Sequence, residues 1–304
     1  MKRALIAAAL ALGACGPGVQ EGEAEVSTRA AAPLVLALND MPAFFDCLRT
    51  NNATVVSAHR GGPQPGFAEN SVEAFAATTA NASVMIETDI AQTRDGVLVL
   101  MHDDTVHRTT DGAGAVGSLT LAQFQALRLR DDRGDVLEAH PPTLRQALDW
   151  AERRAILELD VKRGVSYEDV AREVTEAGAI HRVVFITYSV DGASRLARVA
   201  PEAMIYTTVT SVRDLDTLER RGVDLSRIVA WLGTDALDAD LLAALNARGV
   251  EARWGLFDRG ADFAAAVEAG VQGIAVNAPE AAYRAVDTAD GVEGYAPMRC
   301  LGAD

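Results

Sequence analysis

The chain has 304 residues, a formal net charge of −15 and 49% hydrophobic residues, with five histidines and three cysteines. So acidic a chain lacks the basic face that nucleic acid requires, and broad adhesion to anionic lipid is disfavoured for the same reason. A small phosphate-bearing substrate remains open if positive charge is supplied locally, and no protein partner is inferred.

The first residues read as an export signal. Lys2-Arg3 is a charged leader, and Ala4 to Leu12 is an apolar run too short to span a bilayer. Leu12-Gly13-Ala14-Cys15 fits the pattern of small residues before a cysteine that is lipidated and becomes the new N-terminus. The expectation is therefore a signal over 1–14 and an exported lipoprotein. It would be membrane-anchored through Cys15, facing the periplasm or the cell exterior. The alternative is an ordinary secretory signal with a chance cysteine. Removal of 1–14 takes Lys2 and Arg3 with it, so the charge would pass from −15 to −17. Residues 15–33, rich in Gly, Glu, Ala, Ser and Thr, read as a flexible tether. No later run is long enough for a membrane helix.

A single domain follows over 34–304. Its first segment has apolar residues at helical spacing, including Phe44, Phe45 and Leu48. From Val55 the pattern changes. Short Val/Ile-rich runs at 54–58, 84–90, 97–101, 155–161, 183–188, 204–209, 228–232, 252–257 and 273–277 read as strands. Amphipathic segments at 70–80, 142–153, 167–177, 191–199, 211–221, 238–247 and 261–269 read as helices. Continuous apolar strands alternating with helices predict a parallel sheet covered on both faces. The length fits one closed (β/α)8 TIM barrel better than an open doubly wound sheet. His59-Arg60-Gly61-Gly62-Pro63 after the first strand is not the glycine-rich loop of a dinucleotide fold. Residues 103–141 break the alternation and are read as a small insertion leaving the catalytic face after His102.

Ionisable residues gather where strands run out. His59 and Arg60 end the first strand, and His102 ends the run at 97–101. Glu87 and Asp89 are two apart, so on a strand both face one side; Glu158, Asp160 and Lys162 share the same spacing. Charges lining a closed barrel are costly unless paired or bound to an ion, and a hard cation held by carboxylates removes that cost. Zinc fits poorly, since the histidines are isolated and no cysteine cluster exists. The bland readings are solvated acids on a half-exposed strand and histidines in surface or packing roles. His107, His140 and His181 are read that way.

Cys47 and Cys300 remain once Cys15 is set aside. In an oxidising compartment they are a disulfide candidate, since a closed barrel sets its first and last units side by side. Two buried thiols are the alternative.

Several motifs resemble the glycerophosphodiester phosphodiesterase family, whose pattern runs H-R-G, P-E-N-T, E-x-D, T-x-D-G, H-D and R-T-T. This chain has His59-Arg60-Gly61, Ala68-Glu69-Asn70-Ser71, Glu87-Thr88-Asp89, Thr93-Arg94-Asp95-Gly96, His102-Asp103 and Arg108-Thr109-Thr110, in that order. Pro141-Pro142-Thr143-Leu144 and Thr187-Tyr188-Ser189 resemble later family segments. The resemblance implies a barrel with one divalent cation, Ca²⁺ or Mg²⁺, and an acid/base pair, His59 and His102. It implies Arg60, with Lys162, on the phosphate and Glu87 and Asp89 on the metal. The third ligand would be Asp160, where the family has Glu, or Glu158 one pleat earlier. Glu69, Tyr188 and Trp254 are expected in the substrate pocket. Asn277, in Ala275-Val276-Asn277-Ala278-Pro279, stands where the family usually has Asp.

The implied activity is hydrolysis of glycerophosphodiesters to an alcohol and a glycerol phosphate. A phospholipase D-like action on lysophospholipid or sphingomyelin is the enzymatic alternative. A catalytically silent ligand-binding barrel is the alternative of another class.

Overall fold

The computed structural model describes residues 31–34, 40–259 and 262–302. The expected signal at 1–14 and the lipidated Cys15 lie outside the described residues. Of the expected tether, Ala31 N–H donates to Ala80 O at 3.2 Å and Ala32 O accepts from Ser83 Oγ at 2.6 Å, so residues 31–33 already lie against the domain.

Eight parallel strands close into a (β/α)8 barrel. They are β1 (Val55–Ala58), β2 (Met85–Gln92), β4 (Leu157–Val161), β5 (Val183–Thr187), β6 (Met204–Thr208), β7 (Ile228–Trp231), β8 (Glu251–Phe257) and β9 (Gly273–Val276). The ring is sealed where β1 pairs with both β9 and β2. The outer helices are α2 (Val72–Asn81), α4 (Leu144–Ala151), α5 (Tyr167–Glu176), α6 (Val190–Val199), α7 (Val212–Arg220), α8 (Ala239–Ala247), α9 (Phe263–Ala269) and α10 (Pro279–Ala289). Many start at the polar cap their sequence offers. Ser71, Thr143, Ser166 and Ser189 each accept from a backbone N–H three residues on, satisfying a donor the helix cannot.

The run at 97–101 does not join the ring. Its strand β3 (Leu98–Leu100) turns back antiparallel on the end of β2, with Ile90 opposite Leu100. A three-residue apolar strand carries no sign of its direction, and a hairpin and a barrel stave look alike at that length. The excursion therefore leaves the barrel at the end of β2, and His102 follows its first leg. Beyond it come a short helix, α3 (Leu121–Gln125), and a small core of Val99, Met101, Val106, Val116 and Phe124.

Inside the ring the inward side chains form layers. The lowest is apolar: Val55, Met85, Ile156, Val184, Met204 and Val229. The helix α1 (Met41–Thr50) closes this end, burying Met41, Phe44, Phe45 and Leu48 against that layer. Each such side chain contributes roughly 1.5–3 kcal/mol by burial. Cys47 on α1 is bonded to Cys300 in the tail, with their Cα atoms 5.6 Å apart. Closing a loop over a sequence separation of 253 stabilises the fold by up to roughly 5 kcal/mol in the chain-entropy model. Reduction, or Cys47→Ser with Cys300→Ser, should lower the melting temperature while leaving turnover near wild type. Thermal melts with and without reductant, beside an activity assay, check this. Unchanged melting would show that the bond adds nothing.

Candidate active site

The first barrel strand ends in a forced turn. Arg60 takes a left-handed backbone (φ 53°), followed by Gly61 (φ +81°) and Gly62 (φ +73°). A Cβ on Gly61 would lie 2.2 Å from Phe75 Cδ1, so only glycine fits under α2. The turn aims the Arg60 N–H at Glu87, whose Oε2 accepts at 2.7 Å.

Period-two alternation brings the acids together. Glu87 is opposite Glu158, and Asp89 is opposite Asp160, across the β2–β4 pair. Glu87, Asp89 and Asp160 each place a carboxylate oxygen within 4.8 Å of the others, so this triad could hold a metal ion. Glu158 is not part of it. It lies a layer lower, fully buried, accepting from Ser57 Oγ and from Tyr206 Oη at 3.0 Å and pairing with Arg253. The alternative third ligand is thereby corrected. Burial commits Glu158 to Arg253, and Asp160 is the acid within reach of Glu87 and Asp89.

The charges around the triad are uneven. Burial, then Asp89 and Asp160, push the Glu87 carboxyl well above its ordinary value. Burial pushes Asp89 up as well. Lys162, Asn70 and His102 outweigh it and hold that carboxyl below its ordinary value. The Lys162 ammonium bridges Asp89 at 2.6 Å and Asp160 at 2.7 Å. Asp160 also accepts from Tyr188 Oη. Asn70, itself left-handed (φ 56°), donates to Asp89 Oδ2 at 2.7 Å and accepts from Thr88 Oγ1 and the Asp89 N–H.

The motif residues form one ion-pair ladder. Arg60 pairs with Glu69, Glu69 takes both Nη atoms of Arg108, and Arg108 clasps Asp103. Asp103 accepts from His102 Nδ1 at 2.7 Å. The guanidinium of Arg108 and the His102 ring hold Asp103 far below its ordinary value against partial burial. His59 lies in the other direction, with its ring edge against Phe257 (centroids 4.8 Å apart) and Nδ1 on Asn277 Oδ1 at 2.8 Å. Burial lowers its pKa, and Arg60 adds to this against the Asn277 hydrogen bond. Burial therefore favours the neutral ring over the charged one.

A pocket of about 170 Å³ opens beside the triad, lined by His59, Glu87, Asp160, Tyr188, Trp231 and Phe257 among others. Two expected lining residues are elsewhere. Glu69 serves the ladder. Trp254 alternates outward from the inward Arg253, packs in the shell between strands and helices, and donates Nε1 to Asp235 O at 2.8 Å. Trp231, at the end of β7, supplies the indole instead. Asn70, Arg253, Trp231 and Phe257 are site residues that sequence reasoning missed. Strand parity on β8 would have separated Arg253 from Trp254. His107 is exposed, His140 Nδ1 bonds Leu127 O at 2.6 Å, and His181 faces Glu202 at the surface.

The fold and this acid-lined mouth define a (β/α)8 barrel with its site at the C-terminal ends of the strands, where such barrels place chemistry. Residues 59–281 match the family model described as the glycerophosphoryl diester phosphodiesterase family. A solved glycerophosphoryl diester phosphodiesterase from Parabacteroides distasonis superposes with a TM-score of 0.80 at 27% identity, covering 86% of this chain and 96% of that one. Human glycerophosphodiester phosphodiesterase 1 is 43% identical over 97 residues, which are 30% of this chain and 28% of that protein. A glycerophosphodiester phosphodiesterase of Caldanaerobacter subterraneus is 28% identical over 159 residues, 50% of this chain and 65% of that one. Less than a third of the human relative is thus matched. The chain belongs to the glycerophosphoryl diester phosphodiesterase family.

The geometry separates the two inward acids of β4. Glu158→Ala would strand Arg253 in the barrel interior and should cost roughly 3–5 kcal/mol of unfolding free energy. Asp160→Asn removes one of three crowded like charges at the rim and should stay within about 1 kcal/mol of wild type. Urea unfolding followed by circular dichroism compares them. Equal losses would contradict the layered assignment.

Proposed function

We propose that the chain hydrolyses glycerophosphodiesters to an alcohol and a glycerol phosphate. The observation that carries this reading is the carboxylate triad, set between His59 and the His102–Asp103 pair. Family membership supports it. The triad fits a hard divalent cation, Ca²⁺ or Mg²⁺. Its donors are all oxygen, and burial together with the nearby Asp89 and Asp160 drives the Glu87 carboxyl up, a cost that a bound cation would relieve. Glu87, Asp89 and Asp160 would hold the ion, which when bound would offset negative charge on the phosphodiester oxygens.

The chain's own groups supply the rest. Arg60, which pairs with Glu69 and lies 3.8 Å from Asp89 Oδ2, sets a guanidinium beside the triad for a phosphate oxygen. Lys162 adds a second cation beside it. His59 Nε2 takes the proton from the attacking hydroxyl, either the neighbouring glycerol hydroxyl or water. His102 gives a proton to the leaving alkoxide, with Asp103 fixing its ring. Tyr188 and Trp231 flank the space for an alcohol arm.

The test is a screen of purified protein against glycerophosphocholine, glycerophosphoethanolamine and lysophospholipids, after chelation and with Ca²⁺ or Mg²⁺ restored. Turnover of the glycerophosphodiesters should vanish with chelator and return with one of the ions. Turnover confined to lysolipids, or full activity in chelator, would overturn the reading. His59→Ala and His102→Ala should each lower turnover by about 10²-fold or more, and His140→Ala and His181→Ala by far less. Equal losses at all four would point to structural damage.

We also propose that the chain is exported and lipidated on Cys15, a reading that rests on Lys2 to Cys15. Metabolic labelling with a fatty acid, lost in Cys15→Ala, is the expected result, and an unlabelled wild-type chain would refute it.

A further inference from the structure

Asn277 and Asp258 stand at the ends of adjoining strands on the rim beside His59. Asn277 Oδ1 is 2.8 Å from His59 Nδ1, and Asn277 Nδ2 donates to Asp258 Oδ1 at 2.7 Å. The two strand ends are tied by the Asn277 N–H, which donates to Phe257 O at 3.1 Å. A bulge lies between Gly255 and Phe257, and Phe257 takes a positive φ of 36°. That strained turn sends the chain on to Asp258 and holds the Phe257 ring against the imidazole.

We propose that Asp258 is a positioning residue which, through Asn277, fixes the tautomer of His59. A carboxylate only accepts hydrogen bonds, so Asp258 obliges Asn277 to turn its NH₂ outward. The amide oxygen then faces the imidazole and accepts only, so Nδ1 must carry the ring proton. The lone pair is left on Nε2, the nitrogen assigned above to proton abstraction. Aspartate at 277 would do this alone, being acceptor-only from either oxygen. With asparagine there, the amide can rotate and offer NH₂ to Nδ1, which would move the proton to Nε2 and remove the base. Asp258 is the group that forbids the rotation.

The inference rests on His59 being the general base, and the experiment separates the two ideas. Asp258→Ala should lower kcat by about tenfold or more with KM changed less than about twofold, because the loss is in the population of the working tautomer. Asn277→Asp placed in the Asp258→Ala background should restore kcat to within about threefold of wild type, since it supplies the acceptor directly. Nitrogen-15 NMR of the His59 ring should show a proton on Nδ1 in wild type and in the double variant, and a shift toward Nε2 in Asp258→Ala. Asp258 is exposed, so melting of the variants should match wild type. An unchanged tautomer in Asp258→Ala, or a kcat loss that Asn277→Asp does not restore, overturns the proposal. Should His59→Ala keep full turnover, the catalytic reading of His59 fails, while the NMR result still decides whether Asp258 sets its tautomer.

Discussion

Three carboxylates held within 4.8 Å of one another, two of them buried, set the terms for everything at the mouth of this barrel. Like charges so close in a medium less polar than water repel strongly, and the fold keeps them only by surrounding them. Lys162 spans Asp89 and Asp160, Asn70 donates to Asp89, and the left-handed turn at Arg60 spends a backbone N–H on Glu87. Arg60 is held in turn by Glu69, and Glu69 by Arg108. The short motifs at 59–61, 68–71, 87–89, 102–103 and 108–110 are thus pieces of one electrostatic assembly. None of them has its own chemistry without the others.

Much of this was legible because strands have a period of two. Glu87 with Asp89, and Glu158 with Asp160, mark interior-facing acids by residue order alone. Spacing gives the face and not the depth. Glu158 differs from Asp160 by one pleat, and that pleat decides whether the acid meets Arg253 or the triad. Trp254 shows the same limit from another side. On β8 the charged Glu251 and Arg253 alternate with Ala252 and Trp254, which marks two faces without saying which of them is inward. The partner of Glu158 was needed to fix parity on β8. β3 was found as a strand but not as a hairpin, since pairing partners are not written in a three-residue apolar run. Asn277 stood out only as a departure. Its meaning depends on Asp258, a loop residue on a different strand end.

The barrel interior is graded from end to end. Apolar side chains and α1 fill the N-terminal end, the Ser57–Glu158–Arg253–Tyr206 cluster occupies the middle, and the acid triad lies above it, with only Asp160 partly exposed. The middle layer separates the two needs. Its charges are internally paired, with Arg253 stacked 4.7 Å from the Tyr206 ring centroid and 5.2 Å from that of Trp231. It lies between the apolar packing below and the crowded carboxylates above.

The bond between Cys47 and Cys300 turns almost the whole barrel into a covalent ring. Every stave, every outer helix and the excursion after β2 lie between those two cysteines. A protease cut at any one exposed loop therefore leaves a single molecule. Both new ends stay tethered, and each fragment remains at high local concentration for the other. The nicked protein would differ from the intact one in mass by a single water and would fall into two pieces only on reduction. Cleavage that would dismantle an open chain becomes, here, a change of connectivity within a closed one.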